Sequence, residues 1–152
     1  MKLLEIMKKE AILPELAAQH KKEALEELCA ALATQERLDA APLLEVLLER
    51  EKLGSTGIGD GIAIPHGKTG ITDKLLVACG RSREGVDFDS MDGKPTHIFF
   101  LLLAPEKTAG AHLKALAKIS RLLKDSSFRQ ELLDAPGASE IYDLIASRDD
   151  DF

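Results

Sequence analysis

The chain has 152 residues and a mass of 16.5 kDa, which is the size of one ordinary domain. Hydrophobic residues make up 45% and charged residues 30%, so the composition excludes disordered and collagen-like classes. The formal net charge of -6 argues against a nucleic-acid-binding protein that relies on phosphate contacts. The longest apolar run, 98–104, is far shorter than the roughly 20 residues of a membrane-spanning helix, so no membrane insertion is expected.

The N-terminus and the cysteines limit the class of protein further. Charges occur within the first five residues, too early for the apolar stretch of a signal peptide. Cys29 and Cys79 are far apart and show no paired spacing, so neither a disulfide framework nor a zinc site is predicted. We expect one cytoplasmic domain over residues 1–152, with a solvated acidic tail at 147–152.

Apolar residues at helical spacing, together with helix start signals, predict five helices. Pro42 suits the first turn of the second helix, and Ser139 suits the cap of the last. The predicted helices cover 20–34, 42 to about 50–52, 111–124, a short stretch from about Ser127 and another from about Glu140.

Continuous apolar runs between these helices predict strands that are covered on both faces. The runs are 62–65, 75–80 and 97–104, and a turn at 92–93 connects the last two. Four glycines within 54–61 predict a loop of unusual backbone freedom. The predicted fold is α/β: a single domain with a central mixed β-sheet and helices on both faces.

The glycine-rich segment does not have the spacing of a nucleotide-binding motif. A P-loop needs four residues between its first glycine and Gly-Lys-Ser/Thr, whereas five separate Gly61 from 67–69. A dinucleotide fingerprint that starts at Gly57 would need glycine at position 62, where isoleucine stands. Neither ATP nor NAD is therefore predicted as a cofactor.

His66 follows this segment and is the candidate reactive group. The rigid run 62–65 places it at a strand end, and Gly67 is expected to leave one side of the imidazole open. A neutral imidazole nitrogen is available near pH 7, so His66 can accept a phosphoryl group and pass it on. Loop N–H groups and the guanidinium of Arg50 are suited to the phosphoryl oxygens. Sequence does not decide which imidazole nitrogen reacts.

The segment 50–58 (REKLGSTGI) and the segment 62–67 (IAIPHG) resemble the active segment of enzyme IIA domains of the bacterial phosphotransferase system. The similarity is to the fructose/mannitol type, and most closely to its free-standing nitrogen-regulatory branch. It extends from about residue 20 to 146. Further similar segments are 85–95 (GVDFDSMDGKP) and 101–105 (LLLAP), which leads to His112.

The resemblance implies that a small histidine phosphocarrier protein phosphorylates His66, with Arg50 and His112 supporting the site. It implies no bound cofactor, since the reactive group arrives on the partner. The output implied is a regulatory switch, which is also favoured because no membrane or sugar-specific domain follows in the chain. Asp60 stands where the family often has asparagine, so no phosphate contact is expected from that side chain.

Several assignments stay open at this point. Ser55, Thr56 and Gly57 either contact phosphate or form a turn capped by the two hydroxyls. A metal site formed by His66, His97 and His112 is possible in principle but ranks low, because no helical His-x-x-x-His spacing or Glu pairing supports it. The alternative functions are phosphoryl donation to a separate fructose- or mannitol-type IIB protein, and an interaction module that transfers no phosphate. His20, His97 and Cys79 are expected to be structural, and Lys68 to be a surface charge that can steer an anion.

Overall fold

The computed structural model describes residues 1–150, in which five helices and six strands form one α/β domain. This confirms the predicted fold class. Short 3-10 turns at Leu3–Glu5 and Lys9–Ala11 precede the first strand. The helices are α1 (Lys21–Glu36), α2 (Ala40–Glu51), α3 (Ala111–Lys124), α4 (Ser126–Asp134) and α5 (Ala138–Ser147). The strands are β1 (Ile12–Leu13), β2 (Gly57–Gly59), β3 (Ile62–Ala63), β4 (His66–Thr69), β5 (Leu76–Val86) and β6 (Thr96–Pro105).

The sheet is mixed, with strand order β1-β5-β6-β3-β2 and with β4 also paired to β6. Strands β5 and β6 are antiparallel, whereas β3 and β4 both run parallel to β6. Ala63 lies opposite Phe99 and His66 opposite Leu102, so β3 and β4 follow one another along the same side of β6. This arrangement brings His66 to the beginning of β4, directly after Pro65.

Alternate residues of the central strands face two separate hydrophobic layers. On β6, Phe100 and Leu102 pack in the layer that includes α3, α4 and α5, whereas Phe99 and Leu101 pack in the layer that includes α1 and α2. Each such buried side chain contributes about 1.5–3 kcal/mol of transfer free energy. The continuous apolar run therefore reports two covered faces, as predicted. Strand β5 continues past the predicted end at residue 80, because buried Arg81 has partners elsewhere in the fold.

The glycine segment differs from the predicted loop, because residues 57–59 form β2 and pair with β3 in a hairpin. The turn between the two strands consists of Asp60 and Gly61, with φ of 56° and 75°. These left-handed conformations reverse the chain within two residues, and they suit Asp and Gly better than most residues. The backbone N–H of Asp60 donates a hydrogen bond to the Asp92 carboxylate at 3.2 Å, which fixes this turn.

Two predictions, about the start of the last helix and about the C-terminal tail, are wrong. Helix α5 begins at Ala138, with Gly137 at the cap position, so Ser139 already lies in the first turn and does not cap it. The predicted solvated tail is incorrect at Asp149, which is buried. Its carboxylate accepts the N–H groups of Leu3 at 2.7 Å and Leu4 at 2.9 Å, and it lies 3.5 Å from the buried Lys118. The end of the predicted tail, 151–152, lies outside the described residues.

Within residues 1–150, no helix is both long and apolar enough to cross a membrane. Cys29 and Cys79 are buried free thiols, and burial raises the pKa of each to about 12. The predicted core position of Cys79 is confirmed. Both thiols are therefore inert packing groups rather than nucleophiles.

Candidate active site

His66, Arg50 and His112 line one cavity of about 500 Å³. The cavity lies where the last turn of α2, the start of β4 and the first turn of α3 meet. Its polar groups stand among apolar side chains, so the charges in the cavity are less screened than they would be in open water. The apolar lining residues are Val46, Leu53, Leu102, Ala104, Leu113 and Leu116.

The orientation of the His66 ring is set by the backbone just before it. Its Nδ1 lies 2.8 Å from the carbonyl oxygen of Ile64. A carbonyl oxygen only accepts hydrogen bonds, so Nδ1 carries the hydrogen in the neutral ring. The unprotonated nitrogen is then Nε2, on the opposite side of the ring from Ile64. This contact identifies the ring nitrogen whose lone pair is free, which sequence left open.

Gly67 lines the cavity together with His66 and also serves helix packing. A Cβ at this position would lie 2.6 Å from Cγ1 of Val46. The absence of a side chain therefore lets α2 approach β4 closely. That Gly67 leaves one side of the His66 ring open to a partner stays a prediction.

Arg50 lies in the last turn of α2, where its positive charge also complements the negative end of the helix. Its Nη1 donates a hydrogen bond to the carbonyl oxygen of Gly54 at 2.9 Å. Gly54 has a φ of 138°, which glycine adopts without the strain of a side chain. The turn after α2 thus holds the guanidinium beside the cavity.

The predicted phosphate-contacting loop is not brought into the cavity. The hydroxyl of Ser55 donates to the carbonyl of Phe88 at 2.9 Å, and the hydroxyl of Thr56 donates to the buried carboxylate of Glu51. The N–H of Gly57 donates to the Ser55 hydroxyl oxygen at 3.0 Å. None of these three loop residues lines the cavity. Their polar groups stabilise the loop itself, which is the other reading that sequence allowed.

Glu51 is a buried residue beside the site that sequence reasoning missed. It is buried, next to Arg50, and accepts the N–H of Thr56 at 3.0 Å. Its charge is balanced by Lys21, whose Nζ lies 3.0 Å away. In the sequence, Glu51 is an acidic residue next to Arg50 at the end of a predicted helix. Its neighbours in the sequence do not distinguish it from an exposed helix residue.

His112 stands across the cavity, in the first turn of α3. Its Nδ1 lies 2.6 Å from the hydroxyl oxygen of Thr108, a partner that sequence reasoning also missed. Burial lowers the pKa of His112 below its ordinary value, and the nearby Lys68 and His66 lower it further. His112 is therefore biased toward the neutral form, with Nε2 as the nitrogen not engaged by Thr108.

Lys68 lines the same cavity, two residues after His66 on β4. With Arg50 it supplies fixed positive charge around a neutral imidazole nitrogen. Such a site attracts an anionic group and stabilises charge on its oxygens. The arrangement is suited to phosphoryl transfer through nitrogen.

The structure does not assemble the three histidines of the possible metal site. His97 lines a different cavity, and its Nδ1 lies 2.8 Å from the carbonyl oxygen of Ser82. Across residues 1–150, no group of three or more His, Cys, Asp or Glu side chains is placed to hold a metal ion. His20 precedes α1 and bridges to Asp87 through its backbone.

Comparison with known proteins agrees with this chemistry. Residues 5–148 match the family described as "Phosphoenolpyruvate-dependent sugar phosphotransferase system, EIIA 2". A nitrogen regulatory protein of Bradyrhizobium diazoefficiens is 44% identical over 146 residues, covering 96% of this chain and 95% of that protein. The fructose-specific EIIABC component of Bacillus subtilis is 38% identical over 150 residues, which are 98% of this chain and 24% of the larger protein.

Among solved structures, the nitrogen regulatory protein IIA-Ntr from Neisseria meningitidis superimposes with a TM-score of 0.87. It is 38% identical, and the alignment covers 93% of this chain and 97% of that one. The similarity therefore includes both the fold and most of the chain length. By fold and by sequence, the protein belongs to the EIIA 2 family of the phosphoenolpyruvate-dependent sugar phosphotransferase system.

Proposed function

We propose that His66 accepts a phosphoryl group on Nε2 from a histidine phosphocarrier protein in the cytoplasm, and that the phosphorylated chain acts as a regulatory switch. The observation that carries this proposal is the contact between Nδ1 of His66 and the carbonyl of Ile64. It leaves the Nε2 lone pair as the nucleophile, in a cavity that also contains Arg50 and Lys68.

The transfer step is an in-line exchange between two nitrogens. The Nε2 lone pair of His66 forms a bond to phosphorus while the N–P bond of the carrier phosphohistidine breaks. The electron pair of that bond returns to the carrier imidazole. The His66 ring keeps its hydrogen on Nδ1 and gains positive character, which the carbonyl oxygen of Ile64 stabilises by accepting a stronger hydrogen bond.

Arg50 and Lys68 stabilise the negative charge on the phosphoryl oxygens during this exchange. The guanidinium presents several N–H donors in one plane, which matches the geometry of phosphate oxygens. His112 donates from Nε2–H to a phosphoryl oxygen, with the Thr108 hydroxyl donating to its Nδ1. No resident cofactor takes part in the step, since the phosphoryl group arrives on the donor protein.

A regulatory output follows from what the phosphoryl group does to the cavity. Phosphorylation adds roughly two negative charges to a pocket whose walls are mostly apolar. A partner that inserts an apolar or acidic side chain there binds the free protein and is rejected by the phosphorylated one. The close relatives named as nitrogen regulatory proteins support this output over sugar transport.

A second candidate is phosphoryl donation to a separate IIB protein of the fructose or mannitol type. It is supported by the fructose-specific relative, in which a segment similar to this chain is part of a larger transport protein. The same His66 chemistry serves both outputs. A module that only binds partners is disfavoured, because it would not need Arg50, His66 and His112 around one cavity.

The proposal is tested by incubating the protein with isotope-labelled phosphoenolpyruvate, the general phosphotransferase enzyme and a phosphocarrier protein. We expect an acid-labile label on the wild type and none on His66→Ala. The control His20→Ala removes an exposed histidine outside the cavity and should be labelled like the wild type. Label that persists in His66→Ala would refute the site. Transfer of the label to an added IIB protein would favour the second candidate.

A further inference from the structure

Glu51 is a buried acid at the end of α2. Its carboxylate contacts the turn that follows the helix and pairs with a lysine from α1. Its carboxylate accepts both the N–H and the hydroxyl of Thr56. Its backbone carbonyl accepts the N–H of Gly54 at 3.1 Å. A buried carboxylate is rare unless it is paired and fully hydrogen-bonded, so this position has a specific use.

Lys21, the first residue of α1, compensates the charge of Glu51. Its Nζ lies 3.0 Å from the Glu51 carboxylate and 3.6 Å from Asp89. The ammonium group also stands over the ring of Phe88, 4.9 Å from its centre. The ion pair thereby ties the end of α2 to α1 and to the segment after β5.

Two successive side chains hold the turn at 54–56 from opposite ends. Glu51 binds the Thr56 end, and Arg50 donates to the Gly54 carbonyl at 2.9 Å. The direction of the Gly54 carbonyl depends on the conformation of the whole turn. The orientation of the Arg50 guanidinium therefore depends on the Glu51 carboxylate through the backbone of the turn.

We infer that Glu51 is a positioning residue for Arg50. It fixes the turn at 54–56 so that the Gly54 carbonyl holds the guanidinium at the cavity edge before the phosphoryl group arrives. The inference rests on the proposed function and deepens it. A guanidinium that is already oriented stabilises the transition state without a reorganisation step.

The kinetic test uses Glu51→Gln, alone and combined with Arg50→Ala. In the wild-type background, Glu51→Gln should lower the maximal rate of His66 phosphorylation about tenfold, with little change in the half-saturating concentration of phosphocarrier. In the Arg50→Ala background, the same substitution should change the rate less than about twofold, because there is no guanidinium left to position. An equal loss in both backgrounds, or no loss in either, would overturn the inference.

A matched control and a rescue separate positioning from general destabilisation. Glu45→Gln removes an exposed carboxylate on the same helix and should leave the rate unchanged. Thr56→Val removes the hydroxyl that donates to Glu51 and should reproduce the loss, whereas Thr56→Ser retains a hydroxyl and should restore most of the rate. If circular dichroism shows that Glu51→Gln does not fold, the test uses Thr56→Val and Thr56→Ser instead. Each is then compared in the wild type and in the Arg50→Ala variant.

A second readout needs no phosphoryl transfer and so distinguishes this inference from the proposed function. In NMR spectra of the unphosphorylated protein, the Arg50 Nε–H group should show restricted motion in the wild type and in Thr56→Ser. It should become mobile in Glu51→Gln and in Thr56→Val. A guanidinium that is equally mobile in all four proteins would overturn the inference, even if His66 is phosphorylated normally.

Discussion

The two walls of the cavity at the candidate active site are supported in different ways. On the α2 wall, Arg50 is held by the Gly54 carbonyl, and the turn that carries this carbonyl is pinned by buried Glu51. On the α3 wall, the His112 side chain is hydrogen-bonded to the hydroxyl of Thr108. Two residues with positive φ, Ala109 and Gly110, stand between them.

Arg50 and His112 are each held by a side-chain hydrogen bond, but the acceptor of Arg50 belongs to a turn that Glu51 also binds. Orientation in advance matters most for a group that stabilises transition-state charge. We therefore expect His112 to adjust more to the phosphoryl oxygens and to gain less from its starting position. The α2 wall should therefore contribute more to the transfer rate than the α3 wall.

Paired substitutions of the two walls give the largest expected effect. Arg50→Met should slow phosphorylation of His66 about 100-fold, which is typical for removing one charged donor from such a site. His112→Gln should slow it about tenfold, because an amide N–H replaces one donor of the imidazole. Rates are measured with phosphocarrier in single turnovers. A greater loss for His112→Gln than for Arg50→Met would reverse the comparison.

Close approach of α2 to β4 is tested by Gly67→Ala. The new Cβ would stand 2.6 Å from Val46, so we expect a loss of about 1–3 kcal/mol in the free energy of unfolding. Urea denaturation measures it. Gly70→Ala is the matched control on the same stretch, since its Cβ would meet Glu106 at an ordinary 3.5 Å. The double variant with Val46→Ala should regain part of the loss; no regain would mean that Val46 is not the obstacle.

The smallest effect concerns the charge on the α3 wall. Lys68 lowers the pKa of His112, so Lys68→Ala should raise this pKa toward its ordinary value, because a protonated imidazole then meets less positive charge. At any pH near the midpoint, the variant should hold more protonated His112. Histidine NMR signals followed across pH measure the shift. Lys114→Ala serves as control, and an equal shift in that variant would argue against a specific Lys68 contribution.

Much of the fold could be predicted because the relevant signals are local. The helical spacing over 111–124 matches α3, and the apolar run at 97–104 lies within β6. Strand β5 was predicted too short, since the polar residues after position 80 do not look like sheet interior. The guanidinium of Arg81 donates hydrogen bonds to the carbonyls of Pro14 and Leu132, which are remote in sequence.

Part of the candidate site could also be predicted from local signals in the sequence. Arg50, His66 and His112 were recognisable from short motifs, and they line one cavity. The hydrogen-bond acceptors of the Ser55 and Thr56 hydroxyls could not be predicted. They are the Phe88 carbonyl and the Glu51 carboxylate, which only the packing of the loop brings beside these hydroxyls. Glu51 was missed on the same ground, because its neighbours in the sequence do not show that folding buries it.

Residue spacing along this chain was sufficient to predict an α/β domain, and motifs that resemble the enzyme IIA family selected one histidine as the candidate reactive group. The folded arrangement alone determined which nitrogen of His66 carries the hydrogen and which carboxylate binds the turn after α2. It also determined that Asp149 is buried against the first residues of the chain. The physical reason is that apolar periodicity is read within a few residues, whereas a buried polar group must be paired, and its partner is supplied by whatever segment folding brings beside it.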